Sequence, residues 1–291
     1  MKNKFILGLI LFGSFTLQAQ LLWKVSGKGL KQPSYLFGTY HLISIQYLDS
    51  IPGLYKAFNS CNTVVGELVF SNVDAMAKIQ QASIMPKHIK MTDLLSDDNY
   101  KLVDLELKSV MKTGLKQVAM MNPSLILSLY KLELYKKLTG FSDDVESDSY
   151  FQLVAAEKGK EIVGLETIDQ QIESLYGNGS LDYQAGVLLY SIQHKDSVLN
   201  DMIHLNKLYK AGKIDQLVEL TNKKGIESNM TKDEKYTNFI DKRNNEWIQK
   251  LPQLFKASSS FVAVDVLHLG GKNGLIKLLE KEGYRVTAVA P

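Results

Sequence analysis

A chain of 291 residues, 45% hydrophobic and 22% charged, has the composition of a globular protein long enough to bury one large core. This composition excludes a disordered chain, and a formal charge of only +3 argues against nucleic acid as the main partner. The only cysteine, Cys61, excludes an intramolecular disulfide, and we interpret it as a small buried apolar residue rather than a nucleophile.

The amino end of the chain has the pattern of a secretory signal peptide. Lys2 and Lys4 form a positive start, and the apolar run that follows is too short to span a membrane comfortably. We therefore predict a signal peptide over residues 1–19 and a single domain over residues 20–291, exported to the periplasm or the medium, with no transmembrane segment after cleavage. Leu17 is larger than the usual residue near a cleavage site, so an uncleaved anchor is the alternative. Cleavage leaves 32 basic residues against 31 acidic ones.

Six apolar segments predict the strands of an α/β core. They lack strict alternation of polar and apolar residues, as expected when helices cover both faces of a sheet. In chain order they are residues 21–27, 34–41, 62–70, 161–167, 260–268 and 284–290. Because helix-like stretches separate them, we predict a mixed, mostly parallel sheet built from distant segments and covered by a large helical portion.

The intervening stretches carry apolar residues at helical spacing, which we interpret as core-facing stripes. The two clearest stripes are Tyr100, Val103, Leu107 and Val110, and then Leu127, Tyr130, Leu134 and Leu138. The region from Asp182 to Leu254 is also helix-like, with predicted breaks at residues 211–213 and 223–229. Gly283 is predicted to end a last short helix before the final strand.

Four strand candidates each carry one titratable residue where the apolar run stops: His41, Glu67, Glu166 and His268. Carboxylates almost never lie unpaired in buried strands. The carboxyl ends of parallel strands are where α/β proteins bind ligands, so groups distant in sequence can meet there. We therefore expect these four side chains to converge on one concave face.

Two interpretations of these residues remain open from their spacing. Two imidazoles with one or two carboxylates are a suitable ligand set for a divalent metal that activates water, and a nearby carboxylate can then move protons. Alternatively, both glutamates are buried partners of Arg243 or of a lysine, and both histidines are ordinary core residues. Strand-borne ligands have no fixed interval that would decide between the two. His88, His194 and His204 lie in polar, helix-like contexts and are predicted to be surface residues.

Motifs in a fixed order connect this chain with a known family. They are "YLFGTYHL" at 35–42, "VVGEL" at 64–68, "AAEKGKEIVGLETIDQQIESL" at 155–175, "DKRNNEW" at 241–247 and "FVAVDVLHLGGKNGLIKLLEKEGYRV" at 261–286. This series resembles the TraB/GumN family, which includes the TraB/PrgY pheromone-shutdown proteins and the Tiki-type metalloproteases. The resemblance implies an α/β fold related to erythromycin-esterase-like and haem-binding ChaN-like proteins.

The resemblance also implies an activity, a cofactor and a site. The activity is that of a metal-dependent hydrolase acting on peptide or protein substrates, with manganese, cobalt or zinc as the cofactor. The residues carried over are His41, Glu67 and His268 as metal ligands, and Glu67, Glu166, Arg243 and Asn244 as catalytic or supporting groups. The alternative implied by the ChaN-like relation is a binding protein for haem or another small ligand, without turnover.

One position departs from the family pattern. The second Gly-x-x-His motif begins here with Asp265 instead of glycine. In a regular strand Asp265 lies on the face opposite His268, because side chains alternate. The added carboxylate either narrows the site, adds a charge to it, or marks an inert member that only binds partners.

Overall fold

The computed structural model describes residues 20–142, 146–177, 179–224 and 234–289. The predicted signal peptide lies outside these residues. Among the helices of the described ranges, none combines the length and apolar character that a membrane crossing requires.

A six-stranded mixed sheet forms the centre of the molecule, as the sequence predicts. Its strands are β1 (Leu22–Ser26), β2 (Ser34–Thr39), β3 (Thr63–Gly66), β4 (Glu161–Gly164), β5 (Ser260–Asp265) and β6 (Arg285–Ala288). Their order across the sheet is β4-β3-β5-β2-β1-β6. Strands β4, β3, β5 and β2 are parallel, whereas β1 runs antiparallel to both β2 and β6. The four parallel strands therefore end at one edge of the sheet.

Helices make up most of the remaining described chain. They are α1 (Ile45–Leu48), α2 (Leu54–Ser60), α3 (Val73–Ala82), α4 (Met91–Leu94), α5 (Asp97–Met111), α6 (Pro123–Thr139), α7 (Ser147–Glu157), α8 (Ile168–Tyr176), α9 (Leu181–Gln193), α10 (Lys195–Lys210), α11 (Ile214–Lys224), α12 (Glu234–Ala257) and α13 (Leu275–Lys281). The predicted break at residues 211–213 separates α10 from α11. Most of the second predicted break, residues 225–229, lies outside the described residues.

Two large apolar cores and a small third cluster, around Tyr135, Val198 and Met202, hold the described elements together. The larger one packs α2, α7, α12 and α13 against the sheet, and it includes Cys61, whose thiol pKa burial raises to about 11. The smaller of the two large cores joins α5, α6 and α9 and contains Val103, Leu107, Tyr130 and Leu134. Both predicted stripes are therefore largely confirmed.

One stripe residue and the three remote histidines lie at the surface. Leu138 is 56% exposed, because the core beneath α6 ends one turn earlier, at Leu134. His88, His194 and His204 are exposed, as predicted.

Gly38 allows the segment after β5 to pack against β2. A Cβ at this position would lie 2.9 Å from Val266 Cγ2 and 3.1 Å from Val266 Cα. The Gly38 carbonyl also accepts a hydrogen bond of 2.8 Å from the Tyr209 hydroxyl. The glycine of the first His-containing motif thus has a packing role beside the turn that carries His268.

We predict that Gly38→Ala lowers the free energy of unfolding by about 1–3 kcal/mol, the usual cost of overpacking. Urea denaturation of the purified protein measures this loss. Gly186→Ala, in α9, is the matched control, because nothing lies within 4 Å of its added Cβ. The control should be neutral or slightly stabilising, since alanine is the better helix former. Equal stability of the two variants would contradict the packing role.

Candidate functional site

The four parallel strands deliver their polar residues just beyond their last residues. Glu67 directly follows β3, Glu166 lies two residues after β4, and His41 lies two residues after β2. His268 ends a 3₁₀ turn, Val266–His268, that follows β5. The carboxyl edge of the sheet therefore receives all four, but they do not share one set of contacts.

A guanidinium from α12 holds three of the strand-end residues together. Arg243 donates from Nη2 to Glu67 Oε2 at 2.5 Å, from Nε to Glu166 Oε1 at 2.5 Å, and from Nη1 to His268 Nε2 at 3.0 Å. We call this set the inner network; its members are Glu67, Glu166, Arg243, Asn244, Trp247 and His268. The interpretation of the glutamates as buried partners of Arg243 therefore describes this arrangement.

Glu166 is the most enclosed carboxylate of the inner network. It accepts two hydrogen bonds from Arg243, at 2.5 and 3.1 Å, and a third from Trp247 Nε1 at 3.0 Å. Burial nevertheless raises the pKa of Glu166 above its usual range. Its surroundings suit a structural anchor for the guanidinium.

His268 is held as a neutral ring. Asn244 Nδ2 donates to the carbonyls of His268 and Asn273, so Asn244 Oδ1 is the acceptor for His268 Nδ1 at 2.7 Å. The proton therefore resides on Nδ1, and Nε2 accepts from Arg243. Burial lowers the pKa of His268 to about 3, and the ring lies 4.2 Å from that of Trp247.

Glu67 is fixed at both carboxylate oxygens. Oε1 accepts the backbone N–H of Asp265 at 3.0 Å, and Oε2 accepts from Arg243. Burial alone would raise the pKa of Glu67, but the Arg243 guanidinium and the Asp265 N–H hold it well below its usual range. Glu67 is therefore a permanent anion at neutral pH.

The loop that carries Glu67 is clamped by α7. Gln152 accepts from Phe70 N at 3.1 Å and donates to the Leu68 carbonyl at 2.7 Å. A Cβ at Gly66 would meet Gln152 Nε2 at 2.5 Å, so a side chain there would displace the Gln152 amide from this loop. The fixed loop in turn fixes the position of the Glu67 carboxylate.

His41 belongs to a second group at the same edge, which we call the outer cluster: Thr39, His41, Glu146, Asp148 and Asp265. His41 Nδ1 pairs with Glu146 Oε2 at 3.0 Å, and its side chain is 52% exposed. Tyr40 N donates to Ser147 Oγ at 3.3 Å, which fixes the end of β2 beside the first turn of α7. Thr39 and Asp265 are neighbours in the pairing of β2 with β5.

Electrostatics couple the members of the outer cluster. Partial desolvation of the half-exposed His41 ring favours its neutral form, but the Glu146 hydrogen bond and the charge of Asp148 raise its pKa to about 10. Burial, partly opposed by the charge of His41, raises the pKa of Asp148 to about 7 and that of Asp265 to about 6. These two carboxyl groups therefore titrate closer to neutrality than ordinary aspartates.

Asp265 joins both groups because the chain does not continue as a strand. A 3₁₀ turn begins directly after it, and its Oδ1 accepts the Leu267 N–H at 2.9 Å. Because the backbone turns here, side chains no longer alternate between the two faces of the sheet, and Asp265 and His268 are not forced onto opposite faces. As a result, the Asp265 backbone contacts Glu67, and His268 Nε2 lies 4.0 Å from the same Glu67 oxygen.

The donor groups differ in how well they suit a divalent metal. In the predicted ligand set, Glu67 and His268 are occupied by Arg243, whereas His41 pairs with Glu146. Within the described ranges, no three His, Cys, Asp or Glu side chains lie at metal-ligand spacing. In the outer cluster, Glu146 orients the His41 ring as carboxylates orient metal-bound histidines. The raised pKa keeps this ring protonated at neutral pH, so Nε2 could bind a metal only after losing its proton. Buried Thr39 Oγ1 and Asp148 Oδ1 make no hydrogen bond of normal geometry, but the Thr39 hydroxyl lies near enough to the Asp148 carboxyl to favour its ionised form.

The sequence gives little sign of part of this site. Glu146 and Asp148 lie at the start of α7 in a generally polar stretch, where no apolar strand marks them. An acidic residue in the first turn of a helix is ordinary, because it favours the helix dipole. One sequence signal could have identified them: His41 is a titratable residue near a strand end, and such a residue needs an acidic partner.

The profile of the TraB/PrgY/gumN family matches residues 21–288. The chain belongs to this family. Comparisons with curated proteins and with solved structures find no match. In this TraB/PrgY/gumN protein, Arg243 and Asn244 lie within the motif "DKRNNEW", and both contact His268.

We predict that Arg243→Met destabilises the protein by about 3–5 kcal/mol, because Glu67 and Glu166 would remain buried without a cation. Without Arg243, the folded-state pKa of both glutamates should lie above the usual value of about 4.3. Protonation would then relieve the penalty at low pH, so the loss should be smaller at pH 4 than at pH 8. Denaturant unfolding at both pH values measures it.

The control is Lys277→Met, which removes a cation from the exposed pair with Glu280. Exposed pairs contribute little to stability, so this variant should unfold nearly as the wild type does at both pH values. If both variants lost the same stability, Arg243 would not be the centre of the inner network.

Proposed function

We propose that this protein is an exported metal-dependent hydrolase of the TraB/GumN type that cleaves peptide bonds. The proposal is carried by one observation: the half-exposed His41, fixed by Glu146, lies at the sheet edge near other carboxyl groups of the outer cluster. When bound there, a divalent cation supplies Lewis-acid activation of water and of the scissile carbonyl. The groups that would hold it are Asp148 and His41, the latter after its ring has lost a proton in competition with the incoming cation.

Asp265 is suited to move the proton. Its Oδ1 accepts a hydrogen bond from the Leu267 N–H, whereas Oδ2 makes no hydrogen bond to any described residue. At Oδ2 the carboxylate would accept a proton as water attacks the carbonyl, and would return it to the leaving amine. Glu67 is less suited, because Arg243 and the Asp265 N–H stabilise its ionised form.

In this proposal, the inner network supports the chemistry by positioning the backbone turn that follows β5. Arg243 fixes Glu67, and Glu67 in turn accepts the backbone N–H of Asp265. Asn244 fixes the His268 carbonyl, which follows Asp265 by three residues. In this proposal Glu67, Glu166, Arg243, Asn244 and His268 hold the catalytic turn in place.

We expect the wild type, supplied with manganese, cobalt or zinc, to cleave members of a diverse peptide library and to lose this activity with a chelator. Asp265→Asn should lower kcat by about 10²–10⁴-fold, the usual contribution of a general base. His41→Ala should lower metal content and activity together. Cleavage is measured by mass spectrometry of the peptide products.

Two controls test the assignment. His204→Ala removes an exposed histidine and should leave cleavage unchanged. Asp265→Gly restores the motif glycine but removes the carboxylate. This variant should therefore lose as much kcat as Asp265→Asn does. Full activity in Asp265→Gly would refute the proton-transfer role. A wild type that cleaves no peptide with any of the three metals would refute the hydrolase.

Export is a separate part of the proposal, and it rests on the pattern of residues 1–19. We expect the mature chain from its native envelope or medium to begin at or near Gln20. Intact-mass spectrometry measures this directly. A species that begins at Met1 would contradict cleavage and favour an uncleaved anchor.

A further inference from the structure

We propose that one helical hairpin, formed by α10 and α11, holds the two histidine-bearing segments of the sheet edge in fixed relative positions. Its positioning residues are Asn206, Tyr209 and Asp215. The inference deepens the proposed function and rests on it for the effect on catalysis, because the hairpin contacts the segments that carry both motif histidines.

The first contact region joins α10 to the segment that carries His41. Asn206 Nδ2 donates to the Leu42 carbonyl at 2.6 Å. The Tyr209 hydroxyl donates to the Gly38 carbonyl at 2.8 Å. These two acceptors lie on either side of His41 in the sequence. Asn206 is 7% exposed and Tyr209 is fully buried, so loss of either donor would leave an enclosed carbonyl without its partner.

The ring of Tyr209 also supports Tyr40, the residue directly before His41. The two rings stack with their centroids 5.2 Å apart and an angle of 26° between their planes. Tyr40 donates its backbone N–H to Ser147 Oγ at 3.3 Å. The backbone before His41 is therefore held by α10 on one side and by the start of α7 on another.

The second contact region joins α11 to the loop that follows His268. Asp215 Oδ1 accepts the Gly271 N–H at 2.9 Å. Gly271 has a φ of +77°, a conformation that favours glycine. A Cβ at Gly270 would lie 2.5 Å from Ile214 Cγ2, so a side chain there would push α11 away. Both glycines of "HLGG" thus serve the contact with α11.

A short turn connects the two helices. Gly212 has a φ of +64°, and its N–H donates to the Tyr209 carbonyl at 2.8 Å. The Lys213 N–H donates to the Leu208 carbonyl at 3.0 Å. These hydrogen bonds close the end of α10, and α11 begins at Ile214 and packs back against α10. The turn therefore fixes the angle between the helix that holds one segment and the helix that holds the other.

The sheet alone does not fix the two histidines. The pairing of β2 with β5 extends to Thr39 and Asp265, and both histidines lie beyond it. Their positions therefore depend on contacts outside the sheet. The hairpin supplies such contacts to both segments, which couples the place of His41 to that of His268.

The first test measures peptide cleavage by the full chain. Asn206→Ala, Tyr209→Phe and Asp215→Ala should each lower kcat by roughly tenfold to a hundredfold with little change in KM, since a misplacement of about 1 Å can cost about a hundredfold. Asp215→Asn keeps an oxygen that can accept the Gly271 N–H. It should therefore recover most of the rate that Asp215→Ala loses.

Matched controls separate positioning from charge and stability. Asn200→Ala removes an exposed amide from α10, and Asp196→Ala removes an exposed carboxylate from the first turn of α10, as Asp215→Ala does in α11. Leu107→Ala leaves a cavity in the core of α5, α6 and α9, so it should unfold at a lower urea concentration. All three controls should keep the wild-type kcat.

The second test uses NMR of histidine-labelled protein at constant pH, without added metal, and does not depend on activity. His41→Ala and His268→Gln identify the resonances of the two rings. Asn206→Ala and Tyr209→Phe should shift the His41 resonances, and Asp215→Ala should shift those of His268. Asn200→Ala and Leu107→Ala should leave both sets unchanged. If Asn206→Ala does not fold, Asp215→Ala decides, because its contact lies at the surface.

Three outcomes would overturn the inference. They are unchanged ring resonances in the positioning variants, a wild-type kcat in variants whose resonances have shifted, and a loss of kcat in Leu107→Ala equal to theirs. Shifted resonances in a protein whose wild type cleaves no peptide would support the role of the hairpin in positioning and refute the hydrolase.

Discussion

The contact between the Arg243 guanidinium and three strand-end residues is the interaction on which the carboxyl edge of the sheet depends. Strands β3, β4 and β5 each place a polar group at this edge, and two of the groups are glutamates. Without a cation they would be buried like charges, which proteins do not tolerate unpaired. One planar guanidinium satisfies both carboxylates and also donates to His268. These contacts fix the sheet edge as a unit, and the guanidinium offsets part of the negative charge of the two carboxylates.

The contacts of Arg243 divide the carboxyl edge of the sheet into two parts with different chemistry. The inner network is buried and fully hydrogen-bonded at His268, so its groups have little freedom to change protonation or partner. The outer cluster has a half-exposed imidazole, carboxyl groups whose pKa lies nearer neutrality, and two unsatisfied oxygens. Catalytic centres commonly combine such groups with a rigid support. The division therefore separates residues that are fixed by their partners from residues whose protonation can change nearer neutral pH.

The sequence predicts the strands and most helices because their apolar patterns are local and strong. All six strand candidates form the sheet, and both apolar stripes lie on helices that pack into a core. It also predicts Glu67, Glu166 and His268 at one edge, because strand direction alone brings them there. It could not predict Glu146 and Asp148, because their role arises from the packing of α7 beside β2, a long-range contact without a local pattern. It likewise left open whether Arg243 or a metal would meet the glutamates.

Asp265 shows how a single departure from a motif can connect the two parts. Its backbone N–H is bound by Glu67 of the inner network, while its carboxyl group lies in the outer cluster. A glycine here would keep the backbone contact but lose the carboxyl. It would also lose the Oδ1 acceptor that caps the 3₁₀ turn carrying His268. The substituted residue thus stabilises the turn and adds an ionisable group where the inner network meets the outer cluster.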